Sequence, residues 1–98
     1  MHTINRVDIT YDAAKNARNI ALRDLSFERA VAFDFISATY LIDDRHDYHE
    51  VRWIAIGYLG DRLHHLCFVE TATGIRVVSF RKANTREAKR HGKAKKID

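Results

Sequence analysis

The chain has 98 residues, with 17 Lys and Arg against 13 Asp and Glu, and a net charge of +4. This length predicts one domain over residues 1–98, with a modest core and no room for a deep enclosed cavity. One cysteine excludes an internal disulfide, and no apolar run approaches the roughly 20 residues of a membrane span. With no secretory signal at the N-terminus, we expect a cytoplasmic protein.

The positive charge is concentrated at the C-terminal end. From residue 81 onward there are eight basic and two acidic residues, a net of +6. The preceding 80 residues carry nine basic and eleven acidic groups, a net of −2. A local basic surface is typical of a protein that binds a polyanion or an acidic partner. A solvated terminal helix has the same composition, so both interpretations stay open.

The N-terminal third is predicted to form a strand followed by two helices. Alternating apolar residues predict a strand at 6–11, and Asp12 is a suitable N-cap for a helix that runs to Leu22. The apolar residues of this helix lie on one side and are Ala13, Ala17, Ile20 and Ala21. Ser26 is the N-cap candidate of a second helix. Its predicted buried stripe consists of Phe27, Ala30, Val31 and Phe35.

After residue 36 the hydrophobic period becomes strand-like. Four strands are predicted, at 38–43, 51–58, 63–70 and 75–80. Turns at Gly60-Asp61 and 71–74 favour an antiparallel meander. Asn84 can cap a final helix over 84–94. The predicted order is β-α-α-β-β-β-β-α, an α+β domain with two N-terminal helices packed on one face of an antiparallel sheet.

Four sequence motifs follow one another along the chain. They are Tyr11-Asp12-Ala13-Ala14-Lys15 with Asn19; Ser26-Phe27-Glu28-Arg29-Ala30; Asp43-x-Arg45-His46-x-x-x-Glu50-x-Arg52 leading into Ile56-Gly57; and Ile75-Arg76-Val77-Val78-Ser79-Phe80-Arg81-Lys82-Ala83 with Arg86-Glu87. In this order and spacing they resemble the BrnT family of bacterial type II toxins, which have a RelE-like ribonuclease fold. The resemblance runs from about Val7 to His91.

Two positions depart from the pattern of that family. The family usually has Lys-His-Gly between the first two helices, where this chain reads Leu22-Arg23-Asp24. It usually has Tyr near the end of the last helix, where this chain has His91. The missing turn histidine leaves open whether activity is full and whether the usual mechanism applies.

The resemblance implies an endoribonuclease that needs no metal or other cofactor and arrests growth by cutting cellular RNA. It also implies a hetero-oligomer with a small antitoxin encoded beside it, typically a ribbon-helix-helix DNA-binding protein. The complex would repress its own operon, with operator DNA bound through the antitoxin.

Metal-free RNA cleavage needs a proton acceptor, a proton donor and fixed positive charge. Glu50 and Arg52 are two apart at the start of a predicted strand, so both side chains point to one face. Arg52 is suited to bind a phosphate oxygen, while Glu50 is either a base or the group that holds Arg52. A surface ion pair is the alternative for both. Arg81, at the end of the last strand, is a second phosphate-binding candidate.

Two histidines are candidates for proton transfer, because imidazole exchanges protons near neutral pH. His46 lies in a polar loop, and His91 stands where the family has its tyrosine. Each has a plain surface histidine as its alternative. Arg23 could supply charge in place of the turn histidine. The wider RNA-binding surface is predicted to include Arg23, Lys82, Arg86, Lys89 and Arg90.

The remaining residue patterns that could indicate metal binding, base stacking or catalysis are interpreted as non-functional. His46-x-x-His49 has no matching second ligand pair, so no native metal site is predicted. Trp53 and Cys67 are assigned to the core rather than to base stacking or catalysis.

Two alternatives to a ribonuclease toxin remain. One is a non-catalytic nucleic-acid-binding module using residues 81–96, and the other is a weakened toxin that serves mainly as co-repressor.

Overall fold

The computed structural model describes residues 8–95, which form a mixed α+β domain with a five-stranded sheet. Its elements are β1 (Asp8–Tyr11), α1 (Ala13–Arg23), a 3₁₀ helix (Phe27–Ala32), β2 (Thr39–Ile42), β3 (Trp53–Leu59), β4 (Arg62–Glu70), β5 (Gly74–Lys82) and α2 (Thr85–Arg90). Residues 6 and 7 of the predicted first strand, and Lys96 of the basic segment, lie outside the described residues. The final helix ends at Arg90 and is therefore shorter than the predicted 84–94.

The strands lie in the order β1-β5-β4-β3-β2. Strands β2 to β5 form the predicted antiparallel meander. The prediction of an antiparallel sheet does not extend to β1, which pairs in parallel with β5. A side chain at Gly74 would collide with the backbone of Asp8, so this glycine allows β1 to approach the edge of β5.

The prediction of a second α-helix is wrong. Ser26 does act as N-cap, since its hydroxyl accepts a hydrogen bond from the Glu28 N–H at 3.2 Å, but the helix that follows is a six-residue 3₁₀ helix. Phe27, Ala30 and Phe33 are buried, and their spacing of three matches one side of a 3₁₀ turn. Val31, predicted to be buried, is 61% exposed.

Helix α1 begins at its predicted cap, where the Asp12 carboxylate accepts the Lys15 N–H at 3.0 Å. Its predicted apolar side (Ala13, Ala17, Ile20 and Ala21) is exposed. The buried residue of α1 is Asn19, whose amide donates to the carbonyls of Leu25 and Phe80, both at 2.9 Å. Two buried hydrogen bonds, rather than an apolar stripe, therefore tie α1 to the end of the sheet.

The two faces of the sheet are packed differently. The main core, on the face of α1 and the 3₁₀ helix, includes Phe27, Leu66, Val77 and Phe80. On the other face a smaller cluster joins α2 to the sheet through Ile56, Leu63, Ala83 and Ala88. Trp53 packs partly buried against the main core and Cys67 is buried, as predicted. The segment after α2 also reaches this face, since the Tyr58 hydroxyl donates to the Ala94 carbonyl at 2.7 Å.

A β-bulge in β5 decides which side chains reach that second face. Cys67 pairs with Ser79 and Phe68 pairs with Val77, so Val78 is an extra residue in the ladder. Val77 and Phe80 can both enter the main core for this reason, although they are three residues apart. Beyond the bulge the alternation is restored in a shifted register, and Arg81 pairs with His65 of β4.

Candidate active site

A cleft of about 340 Å³ lies on the second face of the sheet, beside α2. Its ionisable lining residues are Asp43, Arg45, Arg52, His65, Cys67, Arg81, Glu87, Arg90 and His91. Four arginines thus share the cleft with two carboxylates and two histidines, which leaves it positive. This composition suits a ligand that carries negative charge and undergoes proton transfer.

Arg52 is held in the cleft from two sides. Its guanidinium lies over the ring of Tyr48, 3.8 Å from the ring centroid, and its Nε donates to the Glu50 carboxylate at 3.3 Å. Arg76 donates to the same Glu50 oxygen at 2.7 Å and, with Arg52, lowers the pKa of Glu50. A carboxylate that two arginines stabilise in its ionised form is a poor proton acceptor. The geometry favours Glu50 as the group that positions Arg52.

Asp43 anchors the loop that leads to Arg52. It is buried, and its carboxylate accepts two hydrogen bonds from Arg45, at 2.8 and 2.9 Å. The Tyr48 hydroxyl donates to it at 3.2 Å. The hydrogen bonds from Arg45 lower the pKa of Asp43 to about 2, against the opposing effect of burial. Tyr48 therefore links the buried carboxylate to the guanidinium of Arg52.

Arg81 is oriented by α2. Its guanidinium donates two hydrogen bonds to the Glu87 carboxylate, at 2.9 and 2.7 Å, and these hold the pKa of Glu87 at about 2. Glu87 also accepts the Asn84 N–H at 2.9 Å, in a capping box that confirms the predicted cap of α2. The same carboxylate thus begins the helix and positions the arginine.

The histidines divide between cleft and solvent. His91 is the C-cap residue of α2, is half-buried and lines the cleft. His46 is exposed, packs edge-on against the Tyr48 ring with centroids 5.6 Å apart, and is not a lining residue. His65, which was not expected to be functional, projects into the cleft from β4.

The residues predicted to bind RNA are spread over more than one surface. Arg90 lines the candidate active-site cleft. Arg23 and Lys82 line a second cleft of about 510 Å³, together with Arg29, Arg62 and Arg81. Arg86 and Lys89 are exposed on α2 and line neither of these two clefts. Arg81 is the cation shared by both clefts.

Sequence reasoning missed five residues of the site: Asp43, Arg45, Tyr48, His65 and Glu87. The Asp43-x-Arg45 spacing and the Asn84-x-x-Glu87 capping pattern were visible signals for three of them. No comparable signal marked His65, because its role depends on which residues lie beside it in the sheet.

Within residues 8–95, no three His, Cys, Asp or Glu side chains are grouped so that they could hold a metal ion. No helix of the described part is long and apolar enough to cross a membrane.

A family model described as the ribonuclease toxin BrnT of type II toxin–antitoxin systems matches residues 11–87. The chain belongs to this family. The prediction of a ribonuclease toxin is confirmed by this family membership. Membership of a type II system also implies an antitoxin partner. The match includes Glu50, Arg52 and Arg81 but ends before Arg90 and His91.

The fold is similar to the 1.1 Å crystal structure of the Brucella abortus ribonuclease toxin BrnT. The TM-score is 0.62 with 25% sequence identity, over 81% of this chain and 99% of that one. No curated protein sequence matches this chain.

Proposed function

We propose that this protein is a metal-independent endoribonuclease of RelE-like character, which cuts RNA by attack of a 2′-hydroxyl on the adjacent phosphorus. The observation that carries the proposal is the cleft that gathers Arg52, Arg81 and His91 in a chain of a ribonuclease toxin family. Two oriented guanidinium groups suit the two non-bridging oxygens of one phosphate, whose charge grows in the transition state.

The roles follow from what holds each group. Arg52, kept in place by Tyr48 and Glu50, binds one phosphate oxygen. Arg81, kept in place by Glu87, binds the other. His91 gives a proton to the leaving 5′-oxygen, in the position where the family has a tyrosine. Because Asp43, Glu50 and Glu87 each accept hydrogen bonds from arginine, none of them is a ready proton acceptor.

RNA on either side of the cut is bound by the surrounding cations. Arg90 lies in the candidate active-site cleft, and Arg23 and Lys82 lie in the second cleft. Because Arg81 lines both clefts, these cations form one continuous basic region. Arg86 and Lys89 extend this surface along α2. Such contacts neutralise phosphates without reading base sequence, so binding weakens as salt rises. His46, predicted as a proton-transfer group, is exposed and does not line the cleft, so we assign it to the RNA surface instead.

The partner is an antitoxin of the ribbon-helix-helix type, encoded beside this gene, which blocks the cleft and carries the complex to operator DNA. The toxin acts on RNA in the cytoplasm. The support is membership of a type II toxin family and the basic surface around the cleft, to which an acidic antitoxin segment is complementary.

A weakened toxin that serves mainly as co-repressor is the second candidate. One observation favours it: the turn after α1 supplies no histidine to the candidate active-site cleft. Arg23, in the place of the turn histidine, donates to Asn19 at 2.7 Å and lies in the second cleft rather than the first.

The test is cleavage by the purified toxin, released from its complex, with mapping of RNA ends. We expect cutting that persists in excess chelator and leaves 2′,3′-cyclic phosphate or 3′-phosphate ends. A DNA oligonucleotide of the same sequence is the matched control and should remain intact, since it lacks the 2′-hydroxyl. Products with 3′-hydroxyl ends, or loss of cleavage on chelation, would contradict the mechanism. Repression of the operon without any RNA cleavage would favour the co-repressor.

A further inference from the structure

His65 occupies the floor of the candidate active site. It lies in the middle of β4, paired in register with Ile56 of β3 and with Arg81 of β5. Its side chain lines the same cleft as Arg52, Arg81 and His91. Among the buried side-chain nitrogen and oxygen atoms of residues 8–95, its Nδ1 alone has no hydrogen-bond partner. A buried polar atom without a partner is costly and calls for an explanation.

The surroundings of His65 lower its pKa and so favour the neutral imidazole. Burial lowers its pKa most, and the positive charges of Arg81 and Arg45 lower it further, while Glu87 acts in the opposite direction. The other ionisable residues that line the cleft are Asp43, Arg52, Cys67, Arg90 and His91. A neutral imidazole near four arginines can accept a proton, whereas the carboxylates of the cleft are engaged by those arginines.

We propose that His65 is the proton acceptor that activates the 2′-hydroxyl of RNA, an inference that rests on the proposed ribonuclease function. Nδ1 is buried without a partner, so the proton passes from O2′ to Nε2, which accepts it in the tautomer that carries the hydrogen on Nδ1. The O2′–P bond forms and the P–O5′ bond breaks, giving a 2′,3′-cyclic phosphate. A proton from His91 goes to O5′. When bound phosphate adds negative charge beside the ring, the resulting imidazolium is stabilised.

This role accounts for a histidine on a strand whose neighbouring positions on the same face are apolar or small. Leu63 and Cys67 are the residues two positions away, and both are buried. A structural residue at position 65 would be expected to resemble them. It also supplies an imidazole to a chain whose turn after α1 has Arg23 in place of the family histidine.

The experiment measures single-turnover cleavage rates against pH for the wild type, His65→Gln and His65→Ala. We expect rates about 10²–10⁴-fold lower in both variants. In the wild type, activity should fall as the pH drops and His65 becomes protonated, and this acidic limb should disappear in the variants. Added imidazole should partly restore cleavage by His65→Ala, whose missing ring leaves space for it. The control is His49→Asn. His49 is an exposed loop residue whose backbone has a positive φ of 59°, a conformation that asparagine tolerates.

The outcomes separate this inference from the proposed function. If the wild type cleaves and Arg52→Ala does not, but His65→Gln keeps the rate and the acidic limb, the role of His65 is overturned and the ribonuclease stands. A lower rate with an unchanged pH profile and no imidazole rescue would also overturn it, as the sign of a structural role. Should both variants fail to fold, the wild type still decides by ¹⁵N NMR. The His65 ring should be neutral at about pH 7 and its Nε2 signal should shift on adding a 2′-O-methyl RNA, and an unshifted signal would refute the proposal.

Discussion

Arg52→Ala is the most direct perturbation of the proposed site. The side chain lies over Tyr48 at 3.8 Å and donates to Glu50 at 3.3 Å, with 21% of its surface exposed. Removing it deletes a cation–π contact worth about 0.5–2 kcal/mol. Glu50 keeps the hydrogen bond from Arg76 at 2.7 Å, so no carboxylate is left unpaired. We expect a fall in Tm of roughly 4–8 °C for each kcal/mol lost, and a folded domain.

The effect on cleavage should be much larger than the effect on stability. A fixed donor aimed at charge that develops in the transition state is typically worth about 10²–10³-fold in rate, and we expect a loss of at least about tenfold. The assay is single-turnover RNA cleavage at a temperature where circular dichroism shows both proteins folded. Arg52→Lys, which keeps the charge but loses the planar fork, should lie between the two.

Arg76→Ala is the matched control. It removes an arginine from the same Glu50 carboxylate but not from the lining of the cleft, so the rate should change by less than about threefold. Full activity in folded Arg52→Ala would refute the assignment of Arg52. An equal loss in Arg76→Ala would show that the network acts through Glu50 rather than through a phosphate contact of Arg52.

Three further predictions concern acid stability, the core and the basic segment. Arg81 holds the pKa of Glu87 at about 2, below the unfolded value of about 4.3, so this pair stabilises the fold above that value and its contribution is lost as pH falls towards about 2. The Tm should therefore fall more steeply between about pH 7 and pH 3 in the wild type than in Glu87→Gln. Parallel curves of Tm against pH would contradict this. Phe80→Ala, at a fully buried position, should cost about 3–5 kcal/mol in urea unfolding, and a cost below about 1 kcal/mol would contradict its place in the core. Serine substitutions in the basic segment should weaken both RNA binding and antitoxin association and reduce their salt dependence. The positions to replace are Lys89, Arg90, Lys93, Lys95 and Lys96. An antitoxin that bound this variant as tightly, with the same salt dependence, would show that the two do not share a surface.

The local features of this protein were predictable from the sequence. The caps at Asp12, Ser26 and Asn84 are found in the structure because a side-chain oxygen satisfies backbone donors only a few residues away. The meander of β2 to β5 follows from period-two hydrophobicity and short turns, both of which are also local. The family, and with it the ribonuclease activity, followed from motif order and was confirmed by the family match.

The tertiary structure decided what depends on residues far apart in the chain. Nothing in Asp8–Tyr11 encodes a parallel partner at Gly74–Lys82, since that pairing is selected by the shared core and by the room that Gly74 provides. The 3₁₀ helix replaces an α-helix because Phe27, Ala30 and Phe33 all reach the core at a spacing of three. Tertiary packing here outweighs the helical pattern from which the second α-helix was predicted.

The composition of the candidate site was decided by a single extra residue. Val78 shifts the register of β5, and only in that register do Val77 and Phe80 both enter the core while Arg81 pairs with His65. The alternating pattern by itself could not locate the bulge, because a strand of mixed residues can be paired in either register until both faces are packed. The sequence therefore pointed to Arg52 and Arg81, and the sheet decided that His65 lies beside Arg81 in the same cleft.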